Sequence, residues 1–158
     1  YPNAQFDLVR IGIGLFGLSS NRSFEQRLKP VIEWTSSISQ VKTIRPGESV
    51  GYGRTFVAEK DMRIAIIPIG YADGFKRSLS NGVGAVYIQN QRCPVVGRVC
   101  MDMIMVNIGE LKIEANTKVE IIGKNQGLSQ FAKDCQTIPY EILTSISPRV
   151  HRSYSEEE

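Results

Sequence analysis

Two ionisable side chains stand where a core is expected. In Pro94-Val-Val-Gly-Arg-Val-Cys-Met-Asp-Met-Ile-Met-Val-Asn-Ile108, Arg98 and Asp102 interrupt an otherwise apolar run. Burying either group costs free energy unless it finds a partner. The two therefore either pair with each other to brace a tight corner between strands at 94–96 and 103–108, or serve a site. Arg10 poses the same question inside Asp7-Leu-Val-Arg-Ile-Gly-Ile-Gly-Leu-Phe-Gly17, where it is the only charge beyond the opening Asp7 in a run apolar on both faces. It answers to an ion pair with Asp7, to a strand end that lets its head reach water, or to a ligand. The backbone of Gly12-Ile13-Gly14 could cradle a phosphate through its N–H groups. It has neither the full dinucleotide-binding spacing nor a following Lys-Ser/Thr, so as a motif it is weak.

These candidates sit in a chain of 158 residues with net charge +3, enough for one domain with a real core. The basic residues are scattered, without a Lys/Arg run or a basic stripe interleaved with aromatics, which argues against nucleic-acid binding. No apolar run is long enough to span a membrane, and Tyr1-Pro-Asn-Ala4 does not open a signal peptide. The cysteines, Cys93, Cys100 and Cys135, have no metal-ligand spacing, and His151 is the single histidine, so no zinc site is expected. Free thiols fit a reducing, cytoplasmic compartment.

The elements that must position the candidates divide unevenly. The run from Asp7 to Gly17 reads as a strand buried on both faces, as in a parallel α/β sheet. Ser19 to Lys29 reads as a linker with a helical turn. From Val31 onward the character is that of a small β-barrel or sandwich. One long extended strand is expected through Trp34–Ile44, and another over Val50–Ala58 with Tyr52 held between Gly51 and Gly53. Further strands follow at Arg63–Ile69 and, around a turn at Asn90-Gln91, at Ala85–Ile88 and Cys93–Val96. Met103–Ile108 and Val119–Ile122 complete the set. Asp73-Gly74 is a turn signal. Leu128–Lys133 and Pro139–Ser145 read as helices, with Ser129 as a cap for the first and Pro139 in the first turn of the second. The tail Ser155–Glu158 reads as disordered. A doubly buried strand has no use in such a β-domain, so the chain reads as a piece of a longer two-domain protein.

Five segments in order sharpen this reading: Arg10-Ile-Gly-Ile-Gly-Leu-Phe-Gly17 with Gly51-Tyr-Gly53, Ile67-Pro-Ile-Gly-Tyr-Ala-Asp-Gly74, Val96-Gly-Arg-Val-Cys-Met-Asp-Met103 and Thr137-Ile-Pro-Tyr-Glu141. Together they resemble the alanine racemases, from Asp7 to about Arg152. The resemblance implies a mainly β fold: the barrel-like C-terminal β-domain, 29–158, with short helices near its end. Before it, at 1–28, would come the last strand of a (β/α)₈ barrel that carries pyridoxal phosphate. It also implies a head-to-tail homodimer interconverting L- and D-alanine for peptidoglycan synthesis.

The roles carried over are specific. Racemisation removes a proton from one face of an α-carbon and returns it on the other, so it requires two acid/base groups. Tyr52 matches the family's tyrosine base, supplied to the partner subunit. Because an ordinary tyrosine titrates near pH ~10, such a site has to stabilise the phenolate. Arg10 matches the arginine facing the cofactor's pyridine nitrogen. Gly12 and Ile13 match backbone donors to its phosphate, and Tyr140 matches a phosphate-binding tyrosine. Met101 matches a residue whose main-chain N–H meets the substrate carboxylate, while Tyr71 and Asp102 match residues at the mouth of the site. The lysine that holds the cofactor has no counterpart here, so this polypeptide alone is expected to be inactive. The closing Ser147-Pro-Arg-Val-His-Arg152 is family-like, but no function attaches to Pro148 or His151. Two other functions fit the same residues: a non-catalytic dimerisation or binding β-domain, and an amino-acid racemase of broader specificity. A catalytic graft requires Tyr52, Tyr71 and Met101 to gather on one exposed face; a scaffold would scatter or bury them.

Overall fold

Ile38 decides the architecture. β1 (Trp34–Ser37) and β2 (Gln40–Ile44) are consecutive strands, but they belong to different sheets. On one side the Ile38 amide donates to the Thr117 carbonyl at 3.0 Å, and the Asn116 amide donates to the Ile38 carbonyl at 2.7 Å. On the other side, both the amide and the hydroxyl of Ser39 donate to the Ile66 carbonyl, each at 2.9 Å. The single long strand expected from the sequence is thus broken by a sheet switch, with the Ile38 side chain wholly buried at the corner.

This computed structural model describes residues 2–155. The chain divides into two units, Tyr1–Ile32 and Glu33–Glu158. In the second, β5 (Met62–Ile67), β6 (Ala85–Ile88), β7 (Gln91–Pro94), β8 (Ile104–Asn107) and β9 (Lys118–Ile122) complete two antiparallel sheets, ordered β1-β9-β6-β7 and β2-β5-β8. Val95, just past β7, bridges Val106 of β8. With the switch at Ile38 this makes the strand order circular, the closure expected of a small barrel. The β6–β7 hairpin turns on Gln89 and Asn90, one residue earlier than the sequence suggests. Both have positive φ, 50° and 64°, as a two-residue hairpin turn demands.

One core fills the barrel. α2 (Leu128–Asp134) buries Leu128, Phe131 and Ala132, the i, i+3, i+4 stripe of an amphipathic helix. Phe131 meets Trp34 and Phe75 edge-on, with centroids 5.9 and 5.8 Å apart. Gly127, not Ser129, stands at the N-cap of α2, and no side chain caps it. α3 (Pro139–Ser145) does begin with its proline and buries Ile142. A second cluster lies on the opposite face of β2-β5-β8: Ile44, Ile64, Val96, Cys100 and Met105 pack with Val50 and Ala58. Val50 and Phe56 belong to a two-stranded ribbon, β3 (Ser49–Val50) and β4 (Phe56–Val57), which covers this face.

In the first unit, residues 7–12 join no sheet, and Ile13–Phe16 form a 3-10 turn rather than the end of a strand. Phe6, Leu8, Val9 and Ile11 are exposed. The expected doubly buried strand is therefore not formed here. A strand of a parallel sheet exists only between its neighbours, and among the described residues none flanks this run. α1 (Arg22–Glu25) supplies the helical turn within the linker, where the Asn21 side chain accepts bonds from the Ser23 amide and hydroxyl. Lys29 and Pro30 stay with this unit, lying against Gly17.

Replacing Phe131 by Ala should destabilise the second unit by about 3–5 kcal/mol, the usual cost of emptying an aromatic core site. Urea unfolding followed by the fluorescence of Trp34, which touches Phe131, measures this directly. Leu8→Ala, at an exposed position, should change the midpoint negligibly.

Candidate active-site surface

The tip of the β3–β4 ribbon carries Tyr52 on a short 3-10 turn, not within the continuous strand expected from the sequence. Gly51 and Gly53 on either side have φ of 76° and 72°, values that L side chains rarely adopt. The glycines let the chain double back around Tyr52, which is 71% exposed. A Cβ at Gly51 would lie 3.2 Å from the Arg98 amide nitrogen, and one at Gly53 3.4 Å from the Arg98 guanidinium. The ribbon tip therefore rests on the Gly97-Arg98 corner, and Arg98 packs across it.

The same corner continues into the turn at 100–103, closed by a bond from the Cys100 amide to the Met103 carbonyl at 3.0 Å. The turn at 70–74 lies directly alongside. The Tyr71 amide donates to the Cys100 carbonyl at 3.0 Å, and the Ala72 amide to the Met101 carbonyl at 3.1 Å. Only glycine allows this approach, because a Cβ at position 70 would lie 2.3 Å from both carbonyl oxygens. Tyr71 and Met101 are consequently neighbours through their backbones, each about half exposed, at 48% and 51%. Among the described residues the Met101 amide donates to no carbonyl or side chain, so this donor is available to a ligand. Tyr52, Tyr71 and Met101 thus lie on adjoining exposed turns. Tyr140 is in the first turn of α3, also half exposed. Lys76 pairs with Glu141 at 3.0 Å, tying that helix to the chain following Tyr71.

Asp102 does not pair with Arg98, as its place in the sequence suggests. It accepts a 2.6 Å bond from Nη2 of Arg149, whose Nε donates to Oδ1 of Asp73 at the same distance. The other oxygen of Asp73 accepts the Gly70 amide at 2.7 Å. Burial pushes the Asp73 carboxyl up, but the Arg149 bond, the Gly70 amide and the Arg149 charge together outweigh it, leaving it below its ordinary value. The same pairing raises Arg149, which stays cationic. Neither Asp73 nor Arg149 stands out as a site residue in the sequence. Asp73 reads there as a turn former, and Arg149 lies far along the chain in a run with no assigned role.

The cysteine beside the site is buried and held as a thiol. Burial raises the Cys100 thiol, with Arg77 opposing, and its sulfur points to the Arg98 carbonyl. Cys93 and Cys135, also buried, are pushed up to about 11 and about 12. All three are therefore thiols rather than thiolates near neutral pH. Among the described residues no cluster of His, Cys, Asp or Glu could hold a metal ion, and no helix is long and apolar enough to cross a membrane. In the first unit, Arg10 and Gly12 are exposed, and Ile13 opens the 3-10 turn.

The fold is a small β-barrel that presents two tyrosines and an uncommitted backbone donor on adjoining exposed turns. Residues 31–154 match the profile of the alanine racemase C-terminal domain, and the chain belongs to that family. An alanine racemase of Vesicomyosocius okutanii is 44% identical over 150 residues, a stretch covering 94% of this chain and 42% of that protein. A crystal structure of alanine racemase from Bartonella henselae with covalently bound pyridoxal phosphate superposes with a TM-score of 0.87 at 38% identity, over 94% of this chain and 42% of that one. That of alanine racemase from Streptomyces lavendulae, a producer of D-cycloserine, gives 0.88 at 34% identity, over 99% and 43%. The chain spans about two fifths of the length of the relatives it matches.

The acid limb of stability should report Asp73. Its lowered folded value means that the unfolded chain binds the proton more readily. The stabilisation is therefore full above pH ~4, where the unfolded carboxyl is ionised, and is lost as pH falls through the folded value. Asp73→Asn should lower the melting temperature at pH 7 and flatten its fall below pH ~4. If melting curves across that range gave both proteins the same slope, Asp73 would not be the group responsible.

Proposed function

We propose that this chain is the C-terminal part of a pyridoxal-phosphate-dependent alanine racemase, working in the cytoplasm to supply D-alanine for peptidoglycan. The observation that carries the reading is the placement of Tyr52, held clear of the domain by two positive-φ glycines beside the exposed turns of Tyr71 and Met101. A domain used only for dimerisation has no need of a proton-transfer residue presented in this way.

Tyr52 is the residue that takes or returns the α-proton at its phenolic oxygen on one face of alanine, in the active site of a partner subunit. The Met101 amide binds the substrate carboxylate. Tyr71 and Asp102 line the mouth. Exposed apolar side chains on the ribbon and nearby turns, Val57, Val83 and Met103, give this region a surface suited to burial against a second copy. A head-to-tail homodimer brings each Tyr52 to the other subunit's site.

The residues available fit the cofactor's chemistry. Pyridoxal phosphate, when bound, supplies the electron-withdrawing ring that acidifies the α-proton. Tyr140 has a half-exposed phenol suited to a phosphate, and Gly12 and Ile13 stand at the opening of a turn, where N–H groups can meet phosphate oxygens. An arginine is a poor proton donor, so Arg10, placed beside the pyridine nitrogen, would leave that nitrogen largely unprotonated. This limits the electron sink and favours racemisation over side reactions. The covalent attachment needs a lysine from outside this chain.

Alanine racemisation should be measured for the full-length protein and for this 158-residue chain, both with added pyridoxal phosphate. The reading expects turnover in the first and none in the second. In the full-length protein, Tyr52→Phe should cut turnover by about 10²–10⁴, the range of general acid–base catalysis. Exchange of the α-proton with solvent should fall more for one enantiomer than for the other, with cofactor binding retained. Undiminished racemisation in both directions would remove Tyr52 from the mechanism. Turnover on other amino acids but not alanine would favour a racemase of broader specificity.

A further inference from the structure

Arg149 draws together three pieces of chain that are remote in sequence. Its guanidinium spans Asp73, in the turn bearing Tyr71, and Asp102, in the turn bearing Met101, with both bonds at 2.6 Å. The backbone around it is fastened to the same place. The Ser147 amide donates to the Asp73 carbonyl at 3.1 Å, the Val150 amide to the Ser147 carbonyl at 3.0 Å, and Nη2 of Arg152 to the Ile146 carbonyl at 3.0 Å. Gly74 lies so close to this segment that a Cβ there would approach the Ser145 carbonyl to 2.7 Å. The segment follows directly from α3, which carries Tyr140.

The geometry points to Arg149 as a positioning residue, a clamp that fixes the turns at 70–74 and 100–103 and thereby aims the Met101 amide and the Tyr71 side chain at the substrate. The inference rests on the racemase reading for the identity of that substrate. Three arguments support it. First, among the described residues the two turns hold each other directly through two backbone bonds, Tyr71 to Cys100 and Ala72 to Met101. Both turns are otherwise short and irregular, so their relative placement depends on what spans them. Second, the Asp73 side chain is only 13% exposed while that of Asp102 is 47% exposed, so the arginine joins an interior anchor to a group at the rim. An anchored carboxylate gives the rim contact a fixed origin, which an isolated surface ion pair lacks. Third, the planar guanidinium fork can direct two N–H groups along different lines to two acceptors, which an ammonium cannot do with the same fixed geometry. Arg149 need not touch the substrate to act in this way. It sets where the groups that do touch it are found.

The test uses the full-length protein loaded with pyridoxal phosphate. In Arg149→Gln, hydrogen exchange read on peptides covering 70–74 and 99–103 should quicken about tenfold or more while β5 and β8 keep wild-type protection, the pattern of local opening. KM for alanine should rise about tenfold in both directions with kcat changed by less than about threefold, the signature of lost binding rather than lost chemistry. Arg149→Lys should not restore either quantity. Asp102→Ala keeps the Asp73 anchor and should loosen only the 100–103 turn, which separates the clamp from any general failure to fold. Unchanged exchange at both turns, an equal loss through β5 and β8, full rescue by lysine, or local opening with KM unaltered would each overturn the assignment. Absence of alanine turnover in the wild-type protein would sink the racemase reading alone, and exchange at the two turns would still decide whether Arg149 clamps them.

Discussion

The site depends on β5 and β8 being buried on both faces. One face looks into the barrel with Ala65, Ile67, Ile104 and Val106; the other carries Ile44, Ile64 and Met105 beneath the β3–β4 ribbon. Alternation along a strand normally sends one set of side chains to water. Along β5 from Ile64 to Ile67, and along β8, both sets are apolar, which is why β8 reads as an unbroken apolar run rather than as a half-exposed strand. The outer face is what holds the ribbon. Two residues pairing with two, Ser49 with Val57 and Val50 with Phe56, would not persist as an isolated hairpin. The ribbon exists because Val50 and Phe56 have a hydrophobic floor to lie on, and the floor thereby fixes where Tyr52 stands.

Much of this was legible from local signals. The strand positions from Met62 to Ile122 followed from apolar runs and turn residues. Pro139 marked the first turn of α3 because its missing N–H is harmless there. The family emerged from five short segments whose order and separation carry more information than any one of them. Three features lay beyond that kind of reading. The break at Ile38 is set by which carbonyls its neighbours can reach, Thr117 on one side and Ile66 on the other, and nothing in Ser-Ile-Ser announces it. The sequence offers Arg98 as the partner of Asp102, because sequence proximity is visible and spatial proximity is not. The actual partner, Arg149, is reached only once the C-terminal segment has folded back on the 70–74 turn. The strand at 7–17 failed for a related reason: its pattern describes a both-sides-buried environment, and the described residues do not supply one.

The candidate site itself divides in the same way. The family resemblance nominates Tyr52, Tyr71, Met101, Asp102 and Tyr140 as candidates. What it could not give is the manner of support: the close backbone approach at Gly70, the open amide of Met101, and the arginine that joins Asp73 to Asp102. These are properties of how turns lie against one another, and turns have no periodicity from which to infer it.

The pairing of β1 with β9 has a temporal consequence. Trp34 and Ile122 are partners in the β1–β9 ladder of the barrel, yet they belong to the first and last strands of the domain. On the ribosome, at roughly 5–20 residues per second, β1 waits on the order of ten seconds before its partner is even made. During that interval Trp34 and Ile38 have no barrel interior to enter. The β2-β5-β8 sheet and the β6–β7 hairpin can pair as they emerge, but the barrel cannot close. It has to hold β1 open until β9 arrives, and the β1–β9 ladder then forms as a late event of high contact order.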